Sequence, residues 1–132
     1  MVSSAFLGRC LTFNVQVRGL LAELPKEALT KEDRAQLASS ASSIGANVSE
    51  ARSAQSRADF ISKFEIALKE ARETAWWLAL AKSLCKEPAE LYRWLEEECN
   101  VLTAILVTSV KTAKANGESR DRKGRAEIRV QE

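Results

Sequence analysis

The chain has 132 residues and a formal net charge of +2, with charged residues making up 29% of it. One domain fits this length, and the near-neutral balance leaves only a modest global attraction to nucleic acid. There is no histidine, the three cysteines are widely separated, and no apolar run reaches the ~18 residues of a membrane-spanning helix. We therefore expect no zinc site, no other cofactor and no membrane insertion.

The three cysteines, Cys10, Cys85 and Cys99, are expected to be buried free thiols in a reducing compartment. Residues 1–13 contain no basic leader region, and Arg9 interrupts their apolar part, so they are not typical of a signal peptide. The sequence thus predicts a cytoplasmic protein.

The first predicted helix covers residues 4–24 and ends before Pro25, which disfavours helical geometry in the preceding residue. Its apolar residues recur at spacings of four and three, which places them on one face against a core. These residues are Phe6, Cys10, Phe13, Val17, Leu20 and Leu24. We expect Leu7, Leu11 and Val15 to widen this face.

The second and third helices each begin with a capping signature. Thr30 is followed three residues later by Asp33, and Ser56 is followed by Asp59, so each hydroxyl is placed to accept a main-chain N–H of the first turn. Strand signals are absent, because the sequence shows neither sustained alternation nor an Asn-Gly turn.

The second helix is unusually rich in small residues. Its core face is predicted to contain Leu37, Ala41, Ile44, Val48 and Ala51. Beside this face runs a row of small residues that would let another helix approach closely, and we assign it to an oligomer interface. The row consists of Ala38, Ser42, Gly45 and Ser49. Because Gly45 stands alone, neither a phosphate-binding P-loop nor a serine-nucleophile elbow fits the segment.

Asn47 and Glu50 lie three residues apart on the flank of that core face. An unpaired buried polar group costs on the order of 1–3 kcal/mol, so both side chains need partners. A structural hydrogen-bond network that fixes the bundle register is the first interpretation. A ligand-binding pair is the alternative.

The third helix has two apolar faces. The core face is predicted to contain Phe60, Phe64, Ala67, Leu68, Ala71, Thr74, Ala75, Leu78 and Cys85. The opposite face becomes apolar after Glu73, where it contains Trp76, Trp77, Leu80 and Leu84. Exposed apolar patches of this kind mark interfaces, so these four residues predict an oligomer, unless the loop around Pro88 covers them within one subunit.

The fourth predicted helix begins with Pro88 at its first helical position and runs to Asn116, with Gly117 as its C-terminal cap. Its apolar stripe is predicted to contain Leu91, Leu95, Leu102, Ile105 and Ser109, broadened by Trp94, Val101, Leu106 and Val110. Residues 1–116 would then form a four-helix bundle, and residues 117–132 a flexible basic tail.

Several motifs resemble a known family. The second helix reads SIGANVSE over residues 43–50, the third opens with SRADF over residues 56–60 and continues with ALKEARET over residues 67–74, and the fourth contains VKTAK over residues 110–114. Over residues 5–116 the chain resembles the small proteins encoded in intervening sequences of 23S ribosomal RNA genes.

The resemblance implies an all-α, up-down antiparallel four-helix bundle that assembles into a homo-oligomer, a pentameric ring. It implies no established enzymatic activity. A sibling branch comprises the accessory variability determinants of diversity-generating retroelements, which are basic pentameric bundles that bind a reverse transcriptase and its template RNA. The present chain is nearer to neutral than that branch.

Three functions remain open from the residues. A scaffold that binds RNA or a nucleic-acid enzyme is favoured by a basic stretch with a net charge of +4 over residues 111–125. Its basic residues are Lys111, Lys114, Arg120, Arg122, Lys123 and Arg125. A run of this kind is also typical of a merely solvated tail.

A protein-partner adaptor with no nucleic-acid role is the second function. It would use the tryptophan face or an acidic patch, and this patch comprises Glu87, Glu90, Glu96, Glu97 and Glu98. An enzyme using paired carboxylates such as Glu50 and Glu73 is the third. Since di-iron bundles need histidine, we do not expect an enzyme.

Overall fold

The computed structural model describes the chain over residues 2–131, with side chains described as far as Arg125. Within that range it contains four α-helices and no strand. The helices are α1 (Ser4–Glu23), α2 (Lys31–Ala51), α3 (Arg57–Leu84) and α4 (Ala89–Gln131). Glu132, the last residue of the predicted tail, lies outside the described residues.

Serine and threonine hydroxyls begin the first three helices. The hydroxyls of Ser3, Thr30 and Ser56 each accept the main-chain N–H three residues later, at 3.0 Å. Each bond satisfies one of the amide groups that have no partner inside the helix. The predicted starts of α2 and α3 are therefore confirmed, and α1 ends at Glu23, as the following Pro25 predicts.

Each helix packs against its neighbour in the chain, and α1 also contacts α4, so the four helices close into one bundle. Short connections make successive helices antiparallel. At the first connection, Arg34 donates to the carbonyl oxygens of Leu21 (2.8 Å) and Pro25 (2.6 Å). These bonds satisfy carbonyl groups at the end of α1 and tie it to α2.

The core faces predicted for α1 and α2 are confirmed, because every residue assigned to them is buried. On α3 most of the predicted face is buried, but Ala75 is exposed and that assignment was wrong. The buried residues of α4 are Tyr92, Leu95, Cys99, Leu102, Leu106 and Val110.

The predicted widening of the α1 core face was wrong for two residues. Leu11 is 66% exposed and Val15 is 58% exposed, whereas Leu7 packs partly buried against the core. The reason is geometric: α1 contacts only α2 and α4, and Val15 lies ~200° around the helix from the buried Phe13.

The predicted end of α4 at Asn116 was also wrong, because the helix continues through Gly117 to Gln131. A Cβ atom at position 117 would lie 3.2 Å from both Cδ and Nη1 of Arg57. Gly117 therefore permits a close approach of α3 to α4 instead of capping the helix. The division into a bundle and a flexible tail stays a prediction.

Candidate assembly and nucleic-acid interfaces

The row of small residues on α2 brings α1 and α2 close together. A Cβ atom at Gly45 would lie 3.2 Å from Cβ of Cys10, so the missing side chain has a packing reason within the chain. Ser42 donates to the side-chain oxygen of Asn14 at 3.2 Å. Ala38 is half-buried, while Ser49 is exposed. That the same row also lies in a contact between subunits stays a prediction.

An open groove of about 260 Å³ runs outside this contact, between α1 and α2. Leu11 and Ser49 lie on its lining, and Gly45 and Ala46 form part of its floor. Residues 35–49 of α2 contain no charged side chain at all. Interface centres are depleted of charge, so this surface has the composition of a contact face.

The outer side of α1 continues the same surface. A Cβ atom at Gly8 or Gly19 would meet nothing within 4 Å, and Val15 between them is exposed. We call the outer sides of α1 and α2 together the small-residue face. One cation, Arg18, lies on it and donates to Ser42 Oγ at 3.5 Å. Sequence reasoning missed its α1 half, because Leu11 and Val15 had been assigned to the core.

The two adjacent tryptophans of α3 differ in their exposure to solvent. Trp76 is 66% exposed and Leu84 is 57% exposed. Trp77 instead packs partly buried against the core, and its Nε1 donates to the Glu73 carboxylate at 3.3 Å. Leu80 is half-buried. The loop around Pro88 thus leaves Trp76 and Leu84 uncovered in the single chain.

Asn47 and Glu50 bond to different partners and not to each other. The Asn47 amide donates to the Ser43 carbonyl of its own helix at 2.8 Å. The Glu50 carboxylate lies 2.8 Å from Nζ of Lys63 on α3, with the Glu50 side chain 60% exposed. The hydrogen bond to Glu50 raises the pKa of Lys63. Exposed pairs of this kind contribute about 0–1 kcal/mol.

A buried hydroxyl pair links α2 to α3 more deeply. Thr74 Oγ1 lies 3.0 Å from Ser40 Oγ and donates to the Glu70 carbonyl at 2.8 Å. Ser40 Oγ also lies 3.3 Å from the Leu37 carbonyl oxygen. Both hydroxyls are buried, so a shift in register would separate them from each other and leave each only a carbonyl oxygen of its own helix. Nothing in the sequence distinguishes Ser40 from its serine neighbours.

Two of the three cysteines are buried. Burial raises the pKa values of Cys10 and Cys99 to about 11, while Cys85 is half-buried. Tyr92 is fully buried, and its hydroxyl has no hydrogen-bond partner among the described residues. Burial, with a smaller contribution from Cys85, raises the pKa of Tyr92 to about 12.

The acidic patch is partly occupied by contacts within the chain. Glu98 lies 2.7 Å from the guanidinium of Arg9, and Glu96 lies 2.9 Å from Nζ of Lys82. The Glu87 carboxylate accepts the main-chain N–H of Ala89 at 3.1 Å. These acids therefore stabilise the start of α4 and its packing against α1 and α3.

The carboxylates and thiols do not gather into a metal site. In the part of the chain that the structure describes, no three His, Cys, Asp or Glu side chains are grouped to hold a metal ion. Over the same residues, no helix is both long and apolar enough to cross a bilayer.

The predicted basic residues lie on the C-terminal half of α4. This helix has 43 residues and is therefore about 64 Å long, and Gly117 lies beside Arg57, the first residue of α3. Lys114 pairs with Glu65 at 2.8 Å. The other five predicted basic residues are exposed: Lys111, Arg120, Arg122, Lys123 and Arg125.

The fold and these surfaces define a class, the antiparallel four-helix bundles with uncovered apolar side chains and a long last helix that carries a basic stretch. A profile of the 23S rRNA-intervening sequence protein family matches residues 6–108. The chain belongs to this family, as its motifs predicted.

A solved structure supports the assignment. The crystal structure of a protein of unknown function from the S23 ribosomal protein family of Bacteroides thetaiotaomicron is 37% identical, with a TM-score of 0.74. The match covers 80% of this chain and 98% of that one. No curated protein matches the chain.

Proposed function

We propose that this protein is a non-enzymatic scaffold that assembles with copies of itself and binds RNA. The observation that carries the proposal is the pair of unlike surfaces on one chain. The small-residue face spans α1 and α2, and the exposed side chains of Trp76 and Leu84 project from α3.

The two surfaces suggest how copies would meet. Large apolar side chains on one copy complement a groove lined by small residues on the next. A contact between two different surfaces is heterologous, and heterologous contacts form a ring when the rotation between copies closes. A ring of five copies is what the family resemblance implies. Free thiols at Cys10 and Cys99 favour the cytoplasm.

Assembly would gather the basic ends of α4. Residues 111–125 carry a net charge of +4 in each copy, and Lys114 is the one basic residue of the described stretch that pairs with an acid on another helix. Neutralising phosphates releases counterions, so binding to RNA should weaken steeply as salt rises. The scaffold would bind RNA either alone or in a complex with a nucleic-acid enzyme such as a reverse transcriptase.

Fluorescence anisotropy with a labelled single-stranded RNA tests the RNA part of the proposal. Deletion of residues 117–132 should weaken binding and flatten its dependence on salt, because four of the six basic residues are lost. Equal affinities for the full and the shortened chain would refute it. Assembly without RNA binding would favour the protein-partner adaptor instead, although the pairing of Glu96 and Glu98 within the chain leaves that function less acidic surface.

A further inference from the structure

A groove of about 400 Å³ lies where the N-terminal end of α3 meets α4. Its lining includes Arg57, Phe60, Thr108, Ser109, Thr112 and Asn116, and it contains no carboxylate. The lining thus offers a guanidinium, a carboxamide and the hydroxyls of Thr108 and Thr112, whereas Ser109 donates to the Ile105 carbonyl at 2.8 Å. Ligand sites have volumes of roughly 300–1,000 Å³, and the donors in this groove suit an anion.

Arg57 has no counterion among the described side chains. It is half-buried. Because position 117 has no side chain, the Arg57 side chain lies directly against the backbone of α4. A planar guanidinium without a counterion matches the geometry of a phosphate.

The donors of the groove continue along α4 as a track. Thr108, Thr112, Asn116 and Arg120 follow one another at intervals of four residues, and Lys123 lies seven residues beyond Asn116. At ~100° per residue, these residues share one side of the helix. Glu118 and Asp121 fall on the opposite side. The other four basic residues, Lys111, Lys114, Arg122 and Arg125, share the side of these two acids. The track therefore leads out of the groove without an acid in its path.

We propose that this groove binds a phosphoryl group, with Arg57 as its principal donor, and that the track on α4 carries the adjoining phosphates of an RNA strand. The inference rests on the proposed function, since it locates the phosphate contacts of the RNA. Inorganic phosphate would engage the same donors.

The first arm of the experiment measures RNA affinity as a function of salt for matched variants of the full chain. Arg57→Ala is compared with Arg72→Ala, which removes an equal charge from an exposed position elsewhere on α3. We expect Arg57→Ala to weaken binding about tenfold, the loss of one charge-assisted contact, and to reduce the salt slope by ~0.7. Arg72→Ala should have little effect. Far-UV circular dichroism checks that each variant is folded.

A second pair of variants tests the track. The double variant Arg120→Gln/Lys123→Gln should weaken binding more than Arg122→Gln/Arg125→Gln, which removes the same charge from other sides of α4. Equal losses would mean that only the total charge matters and would overturn the track.

The second arm separates the groove from the proposed function. If the chain binds RNA but Arg57→Ala behaves like Arg72→Ala, the groove is overturned and the proposed function stands. If the chain binds no RNA, the proposed function fails. Calorimetric titration with inorganic phosphate then tests whether the groove binds a phosphoryl group. A saturable heat that Arg57→Ala abolishes and Arg72→Ala retains would support it as a site for free phosphate. No saturable heat would overturn it.

Discussion

Removing the exposed apolar side chains of α3 should dissociate the proposed homo-oligomer. An aromatic side chain buries about 150–250 Å², and Trp76 is 66% exposed, so an interface can remove on the order of 150 Å² of it from water, worth about 4 kcal/mol. Leu84, which is 57% exposed, adds about 1 kcal/mol. The variant Trp76→Ser/Leu84→Ser should therefore raise the dissociation constant of one contact by up to about 4,000-fold.

Sedimentation velocity over a concentration series measures this change. The variant should move toward the monomer mass of 14.6 kDa while its helical content stays the same, because neither side chain contributes much to the core of one chain. Trp77→Ser is the matched control: it removes a neighbour that packs against the core, so it should lower the free energy of unfolding. A double variant with the wild-type mass at every concentration would refute the reasoning.

Three further predictions concern the interior. Tyr92→Phe should raise the free energy of unfolding by about 1 kcal/mol in urea denaturation, because it removes a buried hydroxyl without a partner; a loss of stability would mean that the hydroxyl is bonded. Thr74→Val should lower the free energy of unfolding by about 1 kcal/mol, because the buried Ser40 hydroxyl loses its partner on α3; adding Ser40→Ala should cost little more, whereas additive losses would contradict the pairing. The free energy of unfolding should also fall as pH rises from about 9 to 12: burial raises the pKa values of Cys10 and Cys99 from 9.0 to about 11 and that of Tyr92 from 10.0 to about 12, so the unfolded chain loses these protons first. Denaturation at several pH values checks the sign, and stability that is constant over this window would contradict it.

The sequence predicted the features that depend on short-range chemistry. Capping hydroxyls at Thr30 and Ser56 act within one turn, so the sequence alone located two helix starts. The spacing of apolar residues similarly located the core faces of α1 and α2, since a regular helix converts spacing into direction.

The sequence failed where the outcome depends on neighbouring helices. The width of a buried face is set by how many helices surround it, and nothing local to Leu11 or Val15 reveals that α1 has only two neighbours. Glycine costs a helix about 1 kcal/mol, which favoured an end at Gly117. The close approach of Arg57, sixty residues away in the chain, gives that glycine a different reason.

Native mass spectrometry of protein purified at low salt without nuclease tests the central claim most directly, because one spectrum reports both the number of copies and the bound cargo. The account predicts a ring, five copies of the 14.6 kDa chain, with nucleic acid attached. A monomer free of nucleic acid would contradict it.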